Sequence, residues 1–391
     1  MSPAKDGGDA GEGRLAAEPT SAPTPPASLG QLVERAEIAI CCGSGGVGKT
    51  TTAAALALQA AGDGRRAVVV TIDPARRLAD ALGLEGIGNT PTRIEGPWPG
   101  ELSAVMLDTK STFDAVVQRY SSDSEQSERI LSNRFYRNIS GALSGTQEYM
   151  AMEKLYELHD DDAFDIVVVD TPPTRHALDF LDAPRNLTRF LDHRLYRVLT
   201  APTRGVMKAV NAAAVTFIRS VSKVVGAEVF DDAIAFFQAF EGMEDGFRQR
   251  ANAVLQLLED PATAFVLVAS PRRDTVAEAR FFADRLAEAD IPVAALIVNR
   301  VHPQFTDKLP ESVRQRAQTL VGSDLGRLYS NLADFALIAA READHLEGLA
   351  EQVTPAPVAR VPYLRSDVHD LDGLGEISRH LFADTGAQGK G

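Results

Sequence analysis

One short segment near the N-terminus constrains the fold of this chain more than any other feature. From Ile38 the sequence reads IAICCGSGGVGKTTTAAALAL, which is an apolar run, a glycine-rich loop and an alanine-rich run. The apolar run predicts a buried strand, and the alanine-rich run predicts a helix. Between them, residues 43–50 fit the pattern G-x-x-x-x-G-K-[ST]. Because such a loop presents backbone N–H groups and a helix N-terminus, this order predicts a phosphate-binding site.

The residue types in this loop specify the chemistry further. Glycines permit positive φ and let the backbone approach phosphate oxygens closely. Lys49 is expected to reach the β- and γ-phosphates and to act in catalysis, and the Thr50 hydroxyl is expected to bind Mg²⁺. We therefore predict that the chain binds ATP and Mg²⁺. The predicted nucleotide-binding residues of the loop are Gly43, Ser44, Gly45, Gly46, Val47, Gly48, Lys49, Thr50 and Thr51.

The rest of the chain alternates short apolar runs with helical patterns. Such alternation predicts a parallel sheet with crossover helices. The fold class is therefore predicted to be α/β: a P-loop NTPase with a mostly parallel sheet flanked by helices and an α-helical insertion subdomain. The further strands are predicted over residues 67–72, 102–107, 164–169, 264–269 and 293–298, with an edge strand over 357–362.

The predicted domain organisation follows from composition. Residues 1–30 are rich in Ala, Gly, Pro, Ser and Thr, which predicts a disordered tail. Residues 31–385 are predicted to form a single P-loop domain. No strand pattern interrupts the helical periodicity of about 124–160 and 183–260, so both segments are predicted to be helical insertions.

Charge and cysteine content narrow the function classes. A net charge of −14 argues against nucleic acid as a partner, because no overall positive field exists to replace counterions. The two cysteines, Cys41 and Cys42, are adjacent in an apolar run, so their spacing suits neither a disulfide framework nor a zinc site. With no stretch long enough to span a bilayer, we expect a cytoplasmic protein, with peripheral membrane contact as an open alternative.

Two aspartates follow predicted strands and are candidates for the reaction centre. Asp73, in IDPARRLADAL, would lie in the ligand crevice at the carboxyl end of a strand. There it could orient or deprotonate water, or it could cap a helix, and the residues alone leave both open. Asp170 ends the apolar run DIVVVD. An aspartate at the end of a buried strand is typical of the residue that holds a Mg²⁺-bound water in P-loop proteins, although an ordinary turn aspartate has the same pattern.

These motifs together resemble one group of P-loop proteins. The segments GSGGVGKTT, DPARRLAD (73–80) and DTPPTRH (170–176) are similar to the ArsA and guided-entry family of deviant Walker A ATPases, which includes the ATPases that target tail-anchored membrane proteins. The resemblance covers roughly residues 36–365 and is strongest to the actinobacterial anion-transporting ATPases. It implies a nucleotide-gated dimer in which Asp73 activates water and Asp170 lies at the metal.

The same resemblance implies where adenine would bind. Asn299, in VNR, occupies the place of the family's adenine-reading asparagine, and a side-chain amide can both donate to and accept from adenine. An ordinary turn asparagine is the alternative. Pro362, in VPYL, resembles the later segment that lines the adenine.

The chain departs from the family pattern at Ser44. The family has a second lysine there, which in dimers reaches the partner's phosphates, and serine carries no such charge. A heterodimer with a paralogue could supply the lysine, one of Arg76, Arg77 or Arg175 could replace it, or turnover could be slow. A homodimer stays open. Because arsenite needs thiolates and no cysteine follows Cys42, we expect neither arsenite as cargo nor a zinc bridge.

One segment of the larger insertion is both basic and amphipathic. Residues 204–225 carry an apolar stripe at helical spacing, with Arg204, Lys208, Arg219 and Lys223 among the basic residues. Such a stretch can bind a membrane surface or a partner helix, or it can pack against the sheet or against the other chain of a dimer. Two functions therefore remain: an ATPase that drives transport or handles membrane-protein or other apolar clients, and a targeting chaperone or regulatory binding module in which slow turnover is a timer.

Overall fold

The computed structural model describes residues 26–73, 75, 77–139, 146–172, 179–193 and 227–383. Its strands are β1 Ile38–Cys42, β2 Arg66–Thr71, β3 Thr92–Ile94, β4 Glu101–Met106, β5 Ile166–Asp170, β6 Thr263–Ala269, β7 Val293–Val301 and β8 Val358–Pro362. They form one sheet in the order β3-β4-β2-β5-β1-β6-β7-β8. Every pairing is parallel except that of β3 with β4. The predicted α/β class with a mostly parallel sheet is confirmed.

Helices connect the strands and cover the sheet. Within the described ranges they are α1 Leu29–Arg35, α2 Lys49–Gly62, α3 Arg77–Leu82, α4 Thr109–Tyr120, α5 Ser124–Ser132, α6 Arg134–Ile139, α7 Thr146–Asp160, α8 Asp179–Asp192, α9 Ala227–Ala239, α10 Glu244–Glu259, α11 Arg273–Glu288, α12 Pro310–Thr319, α13 Asp324–Gln352 and α14 Leu371–Phe382. None of these helices is both long enough and apolar enough to span a bilayer.

Both faces of the sheet are buried, which explains the unbroken apolar runs of its central strands. On β1, Ala39 and Cys41 point into a core shared with α1, α2, α3 and α14. Ile38, Ile40 and Cys42 point to the other face, whose core includes residues of α7, α10, α11 and α13. Because β1 lies between β5 and β6, the loop that follows it starts near the middle of the sheet.

A third apolar core lies among the helices α4 to α10. It is rich in aromatic side chains, and the rings of Phe236 and Phe240 lie 4.8 Å apart. Phe113 stacks on Tyr136 at 5.3 Å in the same cluster. The described helices of the two predicted helical segments therefore contribute to a core of their own. The basic stretch over residues 204–225 lies outside the described residues.

The structure differs from the sequence expectations at one boundary and in one additional strand. Helix α1 begins at Leu29, inside the predicted tail, because the Ser28 hydroxyl accepts the Gln31 N–H at 3.2 Å and Leu29 is buried. Strand β3 was not predicted, since it has three residues and no period of its own. It forms by antiparallel pairing with β4, where Thr92 lies opposite Ala104.

Candidate functional site

Parallel strands bring the predicted site residues to one edge of the sheet. The glycine loop follows β1, Asp73 follows β2, and Asp170 is the last residue of β5. Because β2, β5 and β1 are neighbours, these three groups converge at their carboxyl ends. Asn299 lies near the end of β7, and Pro362 ends β8 beside it. The ligand crevice of such a sheet opens at this edge.

The glycine loop has the backbone that phosphate binding requires. Gly43, Gly46 and Gly48 have φ values of 149°, 75° and 97°. Gly43 also passes so close to β6 that a Cβ there would lie 2.1 Å from the Val268 carbonyl oxygen. The tip of the loop, at Gly45 and Gly46, is exposed. The loop is therefore fixed at its base and open at its tip.

Lys49 is a buried cation at the start of α2. The residue is only 5% exposed, and Nζ donates to the Ser44 carbonyl oxygen at 2.9 Å. Burial lowers the pKa of Lys49, while the nearby Asp170 carboxylate opposes that change. The ammonium group therefore lies at the loop, beside the positions where phosphate oxygens would bind.

Asp170 keeps one oxygen uncommitted. Oδ2 accepts hydrogen bonds from the Thr50 hydroxyl at 2.7 Å and the Thr71 hydroxyl at 2.9 Å. Oδ1 is buried and has no hydrogen-bond partner among the described residues. Burial raises the pKa of Asp170, and the two hydroxyl bonds and Lys49 counteract the rise. A hydroxyl and a carboxylate with a spare oxygen fit Mg²⁺, a hard cation that prefers oxygen ligands.

Asp73 is nearly buried and already has partners in the chain. Its Oδ1 accepts the Ala75 N–H at 3.0 Å, an Asx-turn contact that lies ahead of α3, which begins at Arg77. Its Oδ2 accepts from the Arg77 guanidinium at 3.2 Å. The Asp73 N–H donates to the Thr71 hydroxyl at 3.2 Å. The carboxylate lies at the predicted place, and its role in water activation stays a prediction.

Ser44 and the three arginines bear on the missing lysine. Ser44 is 4% exposed, and its Oγ makes no hydrogen bond within the described part of the chain. Arg77 is paired with Asp73, with its side chain 58% exposed. Arg76 and Arg175 lie outside the described residues. Of the three arginines that could replace the lysine, the structure therefore describes only Arg77, which pairs with Asp73, the candidate for water activation.

Asn299 contacts the glycine loop directly. It is 8% exposed, and its Nδ2 donates to the Val47 carbonyl oxygen at 2.9 Å. Its Oδ1 accepts the N–H of Arg300 at 2.9 Å. Pro362 pairs in register with Val301 on the neighbouring strand. Adenine recognition by Asn299 and Pro362 stays a prediction, which the remaining amide N–H and carbonyl lone pair of Asn299 would permit.

Three site residues were missed by sequence reasoning. Thr71 joins the two aspartates through one hydroxyl, and its position at the end of a strand two residues before Asp73 was the available signal. Gln147, on helix α7, donates to the Ile72 carbonyl oxygen at 3.1 Å, and nothing in its sequence context predicts this contact. Arg300 donates to the Gly46 carbonyl at 3.1 Å.

A parallel sheet with a glycine loop between β1 and α2, and a hydroxyl–carboxylate pair beside the loop lysine, defines a P-loop nucleotide-binding protein. More narrowly, the chain belongs to the anion-transporting ATPase family, whose model matches residues 36–341. It is therefore an ATPase of the type that the sequence motifs resembled, and the resemblance to this family is confirmed. The narrower resemblance to the actinobacterial branch stays a prediction.

Individual relatives agree with this family. The chain is 34% identical to ATPase GET3 of Malassezia globosa over 151 residues, which are 39% of this chain and 43% of that protein. It is 26% identical to an ATPase ASNA1 homolog of Cryptosporidium parvum over 300 residues, 75% and 74% of the two chains. A putative arsenical pump-driving ATPase of Halobacterium salinarum is 31% identical over 183 residues, 44% of this chain and 28% of that protein.

Proposed function

We propose that this chain binds Mg-ATP at Gly43–Thr51 and hydrolyses it, with Asp73 as the residue that orients and deprotonates the attacking water. The observation that carries the proposal is the pairing of the Thr50 hydroxyl with Asp170 at 2.7 Å, beside the buried Lys49. In a P-loop ATPase such a hydroxyl–carboxylate pair binds the metal ion, and the loop lysine binds the phosphates.

The chain's own groups divide the work. Backbone N–H groups of the loop and the N-terminus of α2 would bind the phosphate oxygens, and Lys49 would leave the Ser44 carbonyl to join them. Thr50 and Asp170 would hold Mg²⁺, which neutralises charge on the phosphates. For Asp73 to accept a proton from water, its Oδ2 has to exchange the Arg77 guanidinium for that water. Arg77, once released, would be a cation next to the reacting phosphate.

The active unit is proposed to be a dimer, either of identical chains or with a paralogue that carries the missing lysine. What supports this proposal is the buried, uncharged Ser44 at the family's lysine position, since no cation can act from there. The cytoplasmic location also stays a proposal. Arsenite is not proposed as cargo, because Cys41 and Cys42 are both buried strand residues.

An exposed apolar stripe on α13 supports a partner with an apolar surface. The second half of this helix buries Leu346 and Leu349 in the sheet core. In the first half Leu325, Leu328 and Phe335 are 52%, 64% and 43% exposed, at the spacing of one helix face. Exposed apolar stripes of this kind mark interaction sites. This observation favours the second candidate function, in which ATP turnover times the capture of a membrane-protein client or other apolar client.

Isothermal calorimetry and a phosphate-release assay test the ATPase proposal. Lys49→Ala should lose Mg-ATP binding, while Lys308→Ala, at an exposed lysine, should bind as the wild type does. Asp73→Asn should bind Mg-ATP and fail to release phosphate, whereas the matched change at the exposed Asp80 should leave turnover intact. Normal turnover by Asp73→Asn would remove Asp73 from its assigned role.

A labelled apolar helical peptide tests the client proposal. The wild type should bind it with an affinity that differs between Mg-ATP and nucleotide-free states. The double variant Leu328→Ser/Phe335→Ser should bind much less, and Val321→Ser, which is 82% exposed but lies outside the helix, should bind normally. Equal binding by the double variant would exclude the α13 stripe as the client surface.

A further inference from the structure

Strand β7 has a local irregularity beside the glycine loop. Val298 pairs with Arg360 of β8, and Val301 pairs with Pro362, so Asn299 and Arg300 together oppose a single residue. This is a β-bulge, which re-aims side chains and is frequent next to functional sites. Arg300 has a φ of 62°, one of only two positive φ values among the described non-glycine residues. An arginine in this region of φ is held there by its surroundings at an energetic cost, and backbone strain of this kind clusters at functional sites.

The bulge directs both of its side chains at the loop. Asn299 Nδ2 donates to the carbonyl oxygen of Val47, and Arg300 donates through Nη1 to the carbonyl oxygen of Gly46. The N–H of Arg300 also donates to Asn299 Oδ1, which fixes the orientation of the amide. Two consecutive loop carbonyls are therefore held toward β7. We call Asn299 and Arg300 the β7 clamp.

Because peptides are planar, these carbonyl contacts also set the directions of loop N–H groups. In a planar trans peptide the carbonyl of one residue and the N–H of the next point in opposite directions. Holding the Gly46 and Val47 carbonyls toward β7 therefore turns the N–H groups of Val47 and Gly48 away from it. Within the described part of the chain, no backbone carbonyl accepts either N–H group. Both are donors without a backbone partner in a loop of the kind that binds phosphate.

We propose that the β7 clamp orients the Val47 and Gly48 N–H groups for the phosphates, and that Arg300 is a positioning residue of the site. The inference rests on the proposed function, since it assumes that the loop binds a nucleoside triphosphate. Arg300 acts through the Gly46 carbonyl and does not itself bind the phosphates. Without Arg300, the Gly46–Val47 peptide can rotate, and its N–H group is no longer directed at the ligand before binding.

Calorimetry with Mg-ATP and with inorganic tripolyphosphate, which has no adenine, tests the β7 clamp. Arg300→Ala should weaken both ligands by about tenfold, the equivalent of one well-placed hydrogen bond. Arg300→Lys keeps a donor for the Gly46 carbonyl and should recover most of the loss. Arg360→Ala, at an exposed arginine of the adjacent strand, is the control and should bind as the wild type does.

Two further readouts separate positioning from charge and from misfolding. Arg300→Ala also removes a positive charge near the anionic ligand, so part of its loss should disappear at high salt, but a salt-independent part should remain, because a contact with a neutral carbonyl is little screened. The amide NMR signals of Val47 and Gly48 should differ between wild type and variant before ligand is added. Unchanged affinity, unchanged signals, or a ratio of wild-type to Arg300→Ala affinities that falls to one at high salt would overturn the clamp. Failure of the wild type to bind either ligand would instead overturn the proposed function.

Discussion

Replacing single glycines of the loop by alanine should separate two physical effects. Gly46 and Gly43 both have positive φ, but their surroundings differ. A Cβ at Gly46 would meet nothing within 4 Å, while a Cβ at Gly43 would lie 2.1 Å from the Val268 carbonyl oxygen and 3.1 Å from its carbon. Those atoms belong to the backbone of β6, so they cannot rotate out of the way as a side chain could.

The magnitudes follow from these contacts. Alanine at a left-handed position costs roughly 1–2 kcal/mol, and the stiffer unfolded chain returns about 0.4–1 kcal/mol. Gly46→Ala should therefore lower the free energy of unfolding by about 1 kcal/mol. Gly43→Ala adds a backbone collision of the kind that costs about 1–3 kcal/mol in a packed interior. We expect a total near 3 kcal/mol, a large share of the roughly 5–15 kcal/mol that stabilises a typical domain.

Urea titration measures both variants. The single tryptophan, Trp98, packs against the core on one face of the sheet, so its fluorescence reports loss of that core, and circular dichroism reports the helices. Each free energy of unfolding is compared with that of the wild type, and an unchanged m-value shows that the difference reports stability. If Gly43→Ala were no less stable than Gly46→Ala, the close approach of the loop to β6 would not be a constraint, and the reasoning from that distance would be wrong.

Three further predictions concern groups near the sheet. Thr71→Val removes one of the two hydroxyl bonds to Asp170 and should weaken Mg²⁺ binding several-fold in a Mn²⁺ competition titration, with an unchanged affinity counting against the role of Thr71. Burial raises the pKa of Cys42 to about 12, so iodoacetamide at pH 8 should alkylate it only after unfolding, as followed by mass spectrometry. Hydrogen bonds from Arg66 hold the pKa of Asp165 below its ordinary value, so this stabilisation is complete above about pH 4 and is lost as the pH falls further. Asp165→Asn should lower stability at neutral pH, and the difference from wild type should shrink as the pH falls below about 4. A difference in urea titrations that stays constant as the pH is lowered would contradict this origin.

Much of the sheet could be predicted because its central strands are buried on both faces. Runs such as VVV in β2 and IVVV in β5 have no polar interruption, and only a parallel sheet covered by helices hides both sides of such strands. Strand β3 has no such signal. Of its three residues only Ile94 is buried, and they form a strand only because β4 offers an open edge. Tertiary pairing of this kind is not encoded in a local pattern.

The candidate site divides in a similar way. Lys49, Thr50 and Asp170 could be found from spacing, since each belongs to a short motif next to a strand. The contacts of Arg300 could not, because they depend on a bulge that appears only when β7 and β8 are paired. The partners of Asp73 also required the structure. One carboxylate oxygen accepts the Ala75 N–H and the other pairs with Arg77, and the sequence alone predicted neither contact.

The position of Lys49 has a consequence for the energetics of ligand uptake. Its ammonium group is withdrawn from bulk water and rests on the Ser44 carbonyl of the same loop. The penalty of dehydrating that charge is therefore met when the chain folds, and an arriving phosphate only replaces a neutral oxygen by an anionic one.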